Sequence, residues 1–346
     1  MDPHPSEWAL TDAVTHLREW GSERTYALVD EGDVFIGTTA ACAVRLKDPT
    51  RRVSRYHARL ARTENTWFVR DLSLNGTRLD GARRSAFLLH AGNEIGVGPV
   101  TLVAESPRWI ALRRYVARLL GWSNATTIDQ ALRAIRLAIT GRIPLIVCAD
   151  ADPTAIAHGI HLRALGGDQP FIACDPRREA MPESVRSARN IPHGMDALDA
   201  AEGGSLCLAT ARLPKEFTEV LDAVRTARRR VALFVCTSSF KADVFGSGSV
   251  SIPSLDRRRG ELMRIVEEYE DDVRHELSAP VGCLDETDRI WIAKHAARSL
   301  GEIETATTRL TALRMSGNVN RAAARLGMAH VSLTRWIERR RVPWKR

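Results

Sequence analysis

The chemistry most easily read from this sequence is cationic. Between Arg321 and Arg346 stand eight basic residues, Arg321, Arg325, Arg335, Arg339, Arg340, Arg341, Lys345 and Arg346, against the single acid Glu338. The net +7 of that tail is nearly all of the +8 carried by the 346-residue chain. A basic run is commonly no more than a solvated helix face, but it seldom gathers almost the whole charge of a protein into one tail. Guanidinium groups so concentrated suit a polyanion. Thiol chemistry is less developed. The six cysteines, Cys42, Cys148, Cys174, Cys207, Cys236 and Cys283, are scattered and none forms a C-x-x-C pair. Most stand in apolar strand-like runs and read as free thiols, so neither a zinc site nor a disulfide framework is expected. No metal or cofactor is expected elsewhere.

The elements that must position the cationic tail are helical. Asn318 or Asn320 is placed to cap a short helix. Ala322 and Ala323 are small enough for a second helix to pack closely, and Leu326 faces the core. Gly327 supplies a left-handed turn. The next helix, from about His330 to Arg340, buries Leu333, Trp336 and Ile337 by helical spacing. The run from Gly317 to Ile337 resembles the Fis-type helix-turn-helix that ends sigma-54-dependent transcription activators. In such motifs the second helix enters the major groove with its N-terminal residues on base edges. The resemblance assigns DNA contacts to His330, Ser332, Thr334 and Arg335, joined by Asn320, Arg321 and Arg339, with Arg340 and Arg341 also toward phosphates. Family members bind as dimers. Trp291, Ile292, Ile303, Ala306, Leu310 and Leu313 are candidates for that interface and equally for a core. A helical hairpin without a nucleic-acid role is the alternative.

Near the other end, short alternating runs are punctuated by Gly, Asn and Asp. Val34-Phe35-Ile36, Trp67-Phe68-Val69, Ile95-Gly96-Val97 and Val100–Val103 suggest an all-β sandwich. Ile36-Gly37, Ser54-Arg55-Tyr56-His57 and Ser73-Leu74-Asn75-Gly76-Thr77, in that order, resemble the forkhead-associated (FHA) domain, a β-sandwich that binds phosphothreonine peptides through loops at one end. The implied ligand is dianionic and offers three strong acceptor oxygens. Ser54 and Arg55 supply a hydroxyl and a charge-assisted donor, while Asn75, with Leu74 beside it, is placed to bond the peptide backbone. His57 and Gly76 read as architectural, and Ser73 and Thr77 as structural at least as much as ligand-binding. One position departs from the family: Thr38 stands where an arginine follows the glycine. A lost charged hydrogen bond weakens phosphate binding by about 1.5–3 kcal/mol, for which Arg51 or Arg52 is expected to compensate. A protein-docking domain without phosphate affinity is the alternative.

Between the two ends, Leu145–Cys148, Phe171–Cys174, Leu206–Leu208 and Val231–Val235 are continuous apolar runs, as buried parallel strands require. Pro144–Val147, Ala201–Leu208 (Ala-Glu-Gly-Gly-Ser-Leu-Cys-Leu) and Ile252–Arg258 resemble the AAA+ domain of the same activators. The resemblance stops where ATP chemistry would begin. A phosphate loop needs glycines, a lysine, and a Ser or Thr for magnesium. Ala149–Ile156 holds neither glycine nor lysine, Asp150 and Asp152 repel phosphates, and Pro153 removes a donor. Ala209 and Thr210 occupy the strand end where the family has carboxylates. The loop that grips the sigma factor is missing after Glu183-Ser184, and the Arg-rich finger is shortened to a Gly/Ser loop near Phe245–Ser249. A catalytically silent core is expected rather than an enzyme. An active AAA+ ATPase is the third-ranked reading.

The readings combine into a multidomain chain: an FHA β-sandwich over residues 20–106, a degenerate AAA+-like α/β parallel sheet over 126–255, a helical lid-like region over 256–300 and an all-α Fis-type helix-turn-helix over 301–346. The composition, 44% hydrophobic and 27% charged, is that of an ordinary globular protein. No apolar run approaches the ~18–20 residues of a membrane span, and Met1–Pro5 shows no export signal, so a cytoplasmic location is expected. The expected function is a bacterial DNA-binding regulator that senses a phosphothreonine-containing protein. Double-stranded DNA, that protein, sigma-54 activator relatives and a second copy of the chain are its implied partners. A phosphopeptide-binding adaptor with a vestigial helix-turn-helix is the alternative.

Overall fold

The computed structural model describes residues 12–29, 32–64, 66–140, 143–182, 188–226, 229–238 and 248–344. Glu183-Ser184, most of the Phe245–Ser249 loop, Lys345 and Arg346 lie outside them. Two sheets face each other in the N-terminal part. One has six strands in the order Thr25–Ala27, His16–Glu19, Val100–Glu105, Glu94–Val97, Thr77–Leu79, Ala82–Arg84. The other has five, Val44–Arg45, Val34–Gly37, Ala58–Thr63, Thr66–Asp71, Ala86–Leu89. Successive side chains of a strand point to opposite faces, so Trp67 and Val69 are buried while Phe68 and Arg70 face outward. Leu17, Ile36, Leu60, Leu89, Ile95 and Leu102 fill the space between the sheets.

The sandwich begins at His16, ahead of the boundary expected at residue 20. That strand pairs with Val100–Glu105 along its whole length, Leu17 opposite Ala104. It carries Arg18, which is buried and ion-paired to Glu105 at 2.7 Å and to Asp129 at 2.6 Å. Asp129 lies on the second of two helices, Pro107–Leu120 and Ala125–Thr140, that follow the sandwich. Ser106 caps the first by accepting from the Trp109 N–H at 3.1 Å, with Pro107 at its first position. Trp109 packs on Gly92, where an added Cβ would fall 2.7 Å from the ring. Arg136 and Asp80 add a bidentate ion pair across the same junction, at 2.8 and 2.7 Å.

A third sheet is parallel throughout, in the order Arg189–Asn190, Phe171–Cys174, Ser205–Ala209, Ala232–Thr237, Leu145–Cys148, Gly248–Ser251. Helices Pro153–Ala164, Gly194–Ala200 and Phe217–Arg225 alternate with its strands. Both faces are covered: Leu145 and Val147 belong to one apolar cluster and Ile146 to another. Gly248 and Ser249, expected in a flexible loop, instead form an edge strand, with Gly248 opposite Leu145. The helix Ala125–Thr140 lies so close that a Cβ on Gly248 would meet Ala134 at 2.8 Å. The glycine marks close packing, not slack. Five cysteines are buried and Cys283 is half-buried; all are free thiols, with the Cys207 and Cys236 sulfurs 3.4 Å apart.

The rest is helical: Leu262–Leu277, Glu286–His295, Leu300–Ser316, Val319–Arg325 and His330–Arg340. No break in packing accompanies the boundaries expected at 256 and 301. One apolar cluster runs from Ala91 and Val103 of the sandwich through Trp109, Val147, Phe234 and Ile265 to Leu333 and Trp336. Trp291, Ile292, Ile303, Ala306, Leu310 and Leu313, candidates for a dimer interface, all lie inside that cluster. Among the described residues, no helix is long and apolar enough to cross a membrane.

Candidate functional site

At one end of the sandwich three loops converge, each wound around a buried or carboxylate anchor. Asp48 accepts from the Thr50 N–H at 2.8 Å and the Val53 N–H at 2.7 Å, folding the segment before Ser54 into a turn with Arg51 at φ 57°. The Thr50 hydroxyl holds the Asp48 carboxyl below the usual range, aided by these backbone N–H groups. Asp71 does the same for the loop after Thr66–Asp71, accepting from the Ser73 and Thr77 hydroxyls at 2.7 and 2.8 Å. Ser73 in turn accepts from the Gly76 N–H at 2.7 Å, and Gly76 adopts φ 82°. Ser73 and Thr77 therefore build the loop, and the residues they lift to its tip are Leu74, 93% exposed, and Asn75.

His57 is fully buried beneath these loops. Its Nδ1 accepts from the Ser54 N–H at 3.2 Å, which requires the neutral ring, and burial holds its pKa below the ordinary histidine value. Thr38 N–H donates to the Ser54 carbonyl at 3.3 Å and Thr39 N–H to that of Arg55 at 3.4 Å. Gly37 permits this contact, since a Cβ there would fall 2.1 Å from the Arg55 carbonyl oxygen. Asn75 Nδ2 donates to the Arg52 carbonyl at 3.0 Å, tying the third loop to the second. Thr38, Ser54, Arg55, Leu74 and Asn75 thus belong to one hydrogen-bonded group of loops. Among the described residues, the Ser54 hydroxyl and the Arg55 guanidinium have no protein partner. A group missed from sequence joins them: Arg45, on the neighbouring edge strand, donates its Nε to the Thr38 carbonyl at 3.3 Å. Its signal was the pairing of Val44–Arg45 with Ile36–Gly37, which residue spacing does not reveal.

The C-terminal residues are arranged on two helices joined by the turn 326–329. Asn318 caps the first, accepting from the N–H groups of Asn320 and Arg321 at 2.8 and 3.3 Å. Gly327 makes the turn at φ 60°. Leu333 and Trp336 anchor the second helix, the Trp336 ring meeting Trp291 edge-on at 6.1 Å. Asn320, Arg321, His330, Ser332, Arg335 and Arg339 are exposed and Thr334 is half-buried. Arg335 and Arg339 line a shallow 480 Å³ hollow together with Glu338 and with Arg309 from the helix Leu300–Ser316. Arg340 does not follow the expectation of a free phosphate-facing cation. It is ion-paired to Glu302 at 2.6 Å and donates to the His295 carbonyl at 3.0 Å, because its position on the helix points back at Leu300–Ser316.

At the carboxyl ends of the parallel strands, where ligands of such sheets commonly bind, lies a 310 Å³ cavity. Its walls carry Asp150, Asp152, Asp256 and Glu304 against the single cation Arg298. The loop after Leu145–Cys148 is only the tetrapeptide Ala149–Asp152; Asp152, at φ 44°, caps the next helix by accepting from the Ala155 N–H at 3.3 Å.

Two facing sheets with hydroxyl, guanidinium and amide groups gathered from three loops at one end define a β-sandwich recognition module. Residues 34–98 match the FHA domain family, and the N-terminal sandwich is an FHA domain. An FHA domain studied for its phosphothreonine-dependent interactions is 31% identical over 26% of this chain and 94% of its own, with a TM-score of 0.24. Mycobacterium tuberculosis EmbR, solved with a low-affinity phosphopeptide, is 29% identical over 27% of this chain and 24% of its own, TM-score 0.25. The N-terminal FHA domain of S. cerevisiae Rad53p, solved with a phosphothreonine peptide, is 24% identical over 27% of this chain and 92% of its own, TM-score 0.25. Comparison with curated proteins finds no match.

Proposed function

We propose that this chain is a DNA-binding transcription regulator of Fis-type output whose FHA domain takes up a threonine-phosphorylated protein, and that it hydrolyses no ATP. The observation that carries the reading is the second helix of the C-terminal pair. Leu333 and Trp336 fix it to the core while His330, Ser332, Arg335 and Arg339 stand in solvent, the arrangement by which a helix-turn-helix offers its outer helix to the major groove. The phosphothreonine input is supported by the match of residues 34–98 to the FHA family and by the Ser54 hydroxyl and Arg55 guanidinium, which have no protein partner among the described residues. The central domain is read as AAA+-like but silent. Its strand-end cavity is lined by four carboxylates and one arginine, a field that repels a polyphosphate, and its tetrapeptide loop has no glycine with which to wrap one.

Footprinting of genomic fragments with full-length protein tests the output. Specific sites are expected, and Thr334→Ala with Arg335→Ala is expected to weaken them at least 10-fold, each good base contact being worth about 1–3 kcal/mol. Specific binding retained in that double variant refutes the assignment of the reading residues. Calorimetry with magnesium–ATP is expected to show no binding, and tight binding refutes the silent core. Arg340 and Arg325, both bonded back to the protein, favour a second reading, a phosphopeptide adaptor. That reading prevails if phosphopeptides bind and no DNA site is found.

A further inference from the structure

The FHA pocket lacks one cation: Thr38 follows Gly37 where the family has arginine, so the phosphate charge must be met from elsewhere in the fold. The two arginines just before Ser54 are tied in through their backbones, and among the described residues no hydrogen bond orients their side chains. Arg51 occupies the left-handed corner of the Asp48 turn, and Arg52 gives its carbonyl to Asn75. Arg45 is placed differently. The edge strand Val44–Arg45 runs parallel to Ile36–Gly37 with Arg45 beside Gly37, and the Leu46 N–H to Gly37 carbonyl bond, 2.8 Å, locks that register. The Tyr26 hydroxyl holds the Arg45 carbonyl at 3.2 Å. The Arg45 Nε reaches the Thr38 carbonyl at 3.3 Å, and Thr38 is itself bonded to the Ser54 carbonyl. The side chain is exposed, and among the described residues no carboxylate pairs with it. With Nε occupied, the two terminal nitrogens and their N–H groups remain for a ligand.

We propose that Arg45 supplies, from the adjacent strand, the phosphate-binding guanidinium that position 38 does not. This rests on the phosphothreonine reading. The planar fork matches phosphate oxygens two at a time, whereas a lysine ammonium is a point charge. The test is calorimetric titration of the full-length protein with a degenerate phosphothreonine peptide library and its unphosphorylated counterpart. Wild type is expected to bind only the phosphorylated pool. Arg45→Ala is expected to weaken binding roughly 10- to 100-fold, the worth of one charge-assisted hydrogen bond. Arg45→Lys should recover part of the loss, and Thr38→Arg placed in the Arg45→Ala background should recover most of it. Ser54→Ala serves as the pocket control. If Ser54→Ala loses binding while Arg45→Ala keeps it, the Arg45 assignment is overturned and the phosphothreonine reading stands. If wild type binds both pools alike, both are overturned.

Discussion

Replacing Asp129 by alanine would test whether the FHA sandwich and the helices behind it are one cooperative unit. Arg18 is 1% exposed, as is Asp129, and Glu105 is 3% exposed. Arg18 donates through both terminal nitrogens to Asp129, at 3.0 and 2.6 Å, and Asp129 also takes the Gly21 N–H at 2.7 Å. The substitution strips one of two carboxylates from a buried guanidinium and leaves three donors without that acceptor. Removing one side of a buried ion pair costs about 3–5 kcal/mol. Glu105 stays in place and the Glu19 and Ser22 carbonyls still bond the same guanidinium, so the lower end, about 3 kcal/mol, is expected. At roughly 2–4 °C per kcal/mol for a chain of somewhat smaller size, the melting midpoint should fall by about 6–12 °C. Scanning calorimetry reads the result directly. A single transition shifted downward supports the account, and replacing all three charges, Arg18→Met with Asp129→Leu and Glu105→Leu, should recover much of the loss, since apolar replacement of a complete buried ionic cluster is often neutral. An Asp129→Ala midpoint equal to that of wild type would refute the reasoning.

Other consequences follow from the same geometry. His161 is buried, its Nε2–H donating to the Gln169 carbonyl at 3.1 Å and its Nδ1 accepting from the Ser205 hydroxyl at 2.8 Å; burial pushes its pKa down to about 4. The unfolded chain binds that proton first, so stability is full above about pH 6.5 and falls as the pH drops toward 4, by about 3 kcal/mol for this residue. Urea midpoints between pH 7 and 4.5 should show that slope, and His161→Gln should flatten most of it. Gly37→Ala drives a Cβ to 2.1 Å from the Arg55 carbonyl, so it should cost about 1–3 kcal/mol by overpacking and weaken phosphopeptide binding beyond what its melting point explains. Arg339→Ala should lower the salt slope of DNA binding by about one without changing the preferred site; an unchanged slope would remove Arg339 from the phosphate contacts.

Much of the architecture was legible because burial wrote itself into the chain. Leu145–Cys148 and Phe171–Cys174 read as buried strands since a sheet covered on both faces needs apolar residues at every position. The turn at Gly327 and the anchors Leu333 and Trp336 were legible from local spacing. What escaped was non-local. The strand His16–Glu19 has one aliphatic residue, and its buried Arg18 looks like a surface residue until Glu105 and Asp129, 87 and 111 positions away, are brought to it. Gly248–Ser251 has loop composition and becomes a strand by pairing with the distant Leu145–Cys148, where Gly248 lets the helix Ala125–Thr140 pack close. The placement of Arg45 beside Gly37 depends on a strand pairing that nearness in sequence does not show. Arg340 looked like one more free cation until Glu302 was found beneath it.

The apolar cluster that runs unbroken from Ala91 to Trp336 bears on how an input could become an output. A ligand moves an equilibrium only by binding two arrangements unequally, and close-packed interiors do not deform by degrees. On the proposed function, a protein captured at Ser54 and Asn75 would be carried on the same packed chain as whatever lies against the helix His330–Arg340. If what lies there is DNA, as proposed, the captured protein's encounters with neighbours there would be set by an effective concentration that geometry fixes, not by its abundance in solution. On that reading the chain would act as a ruler more than as a lever.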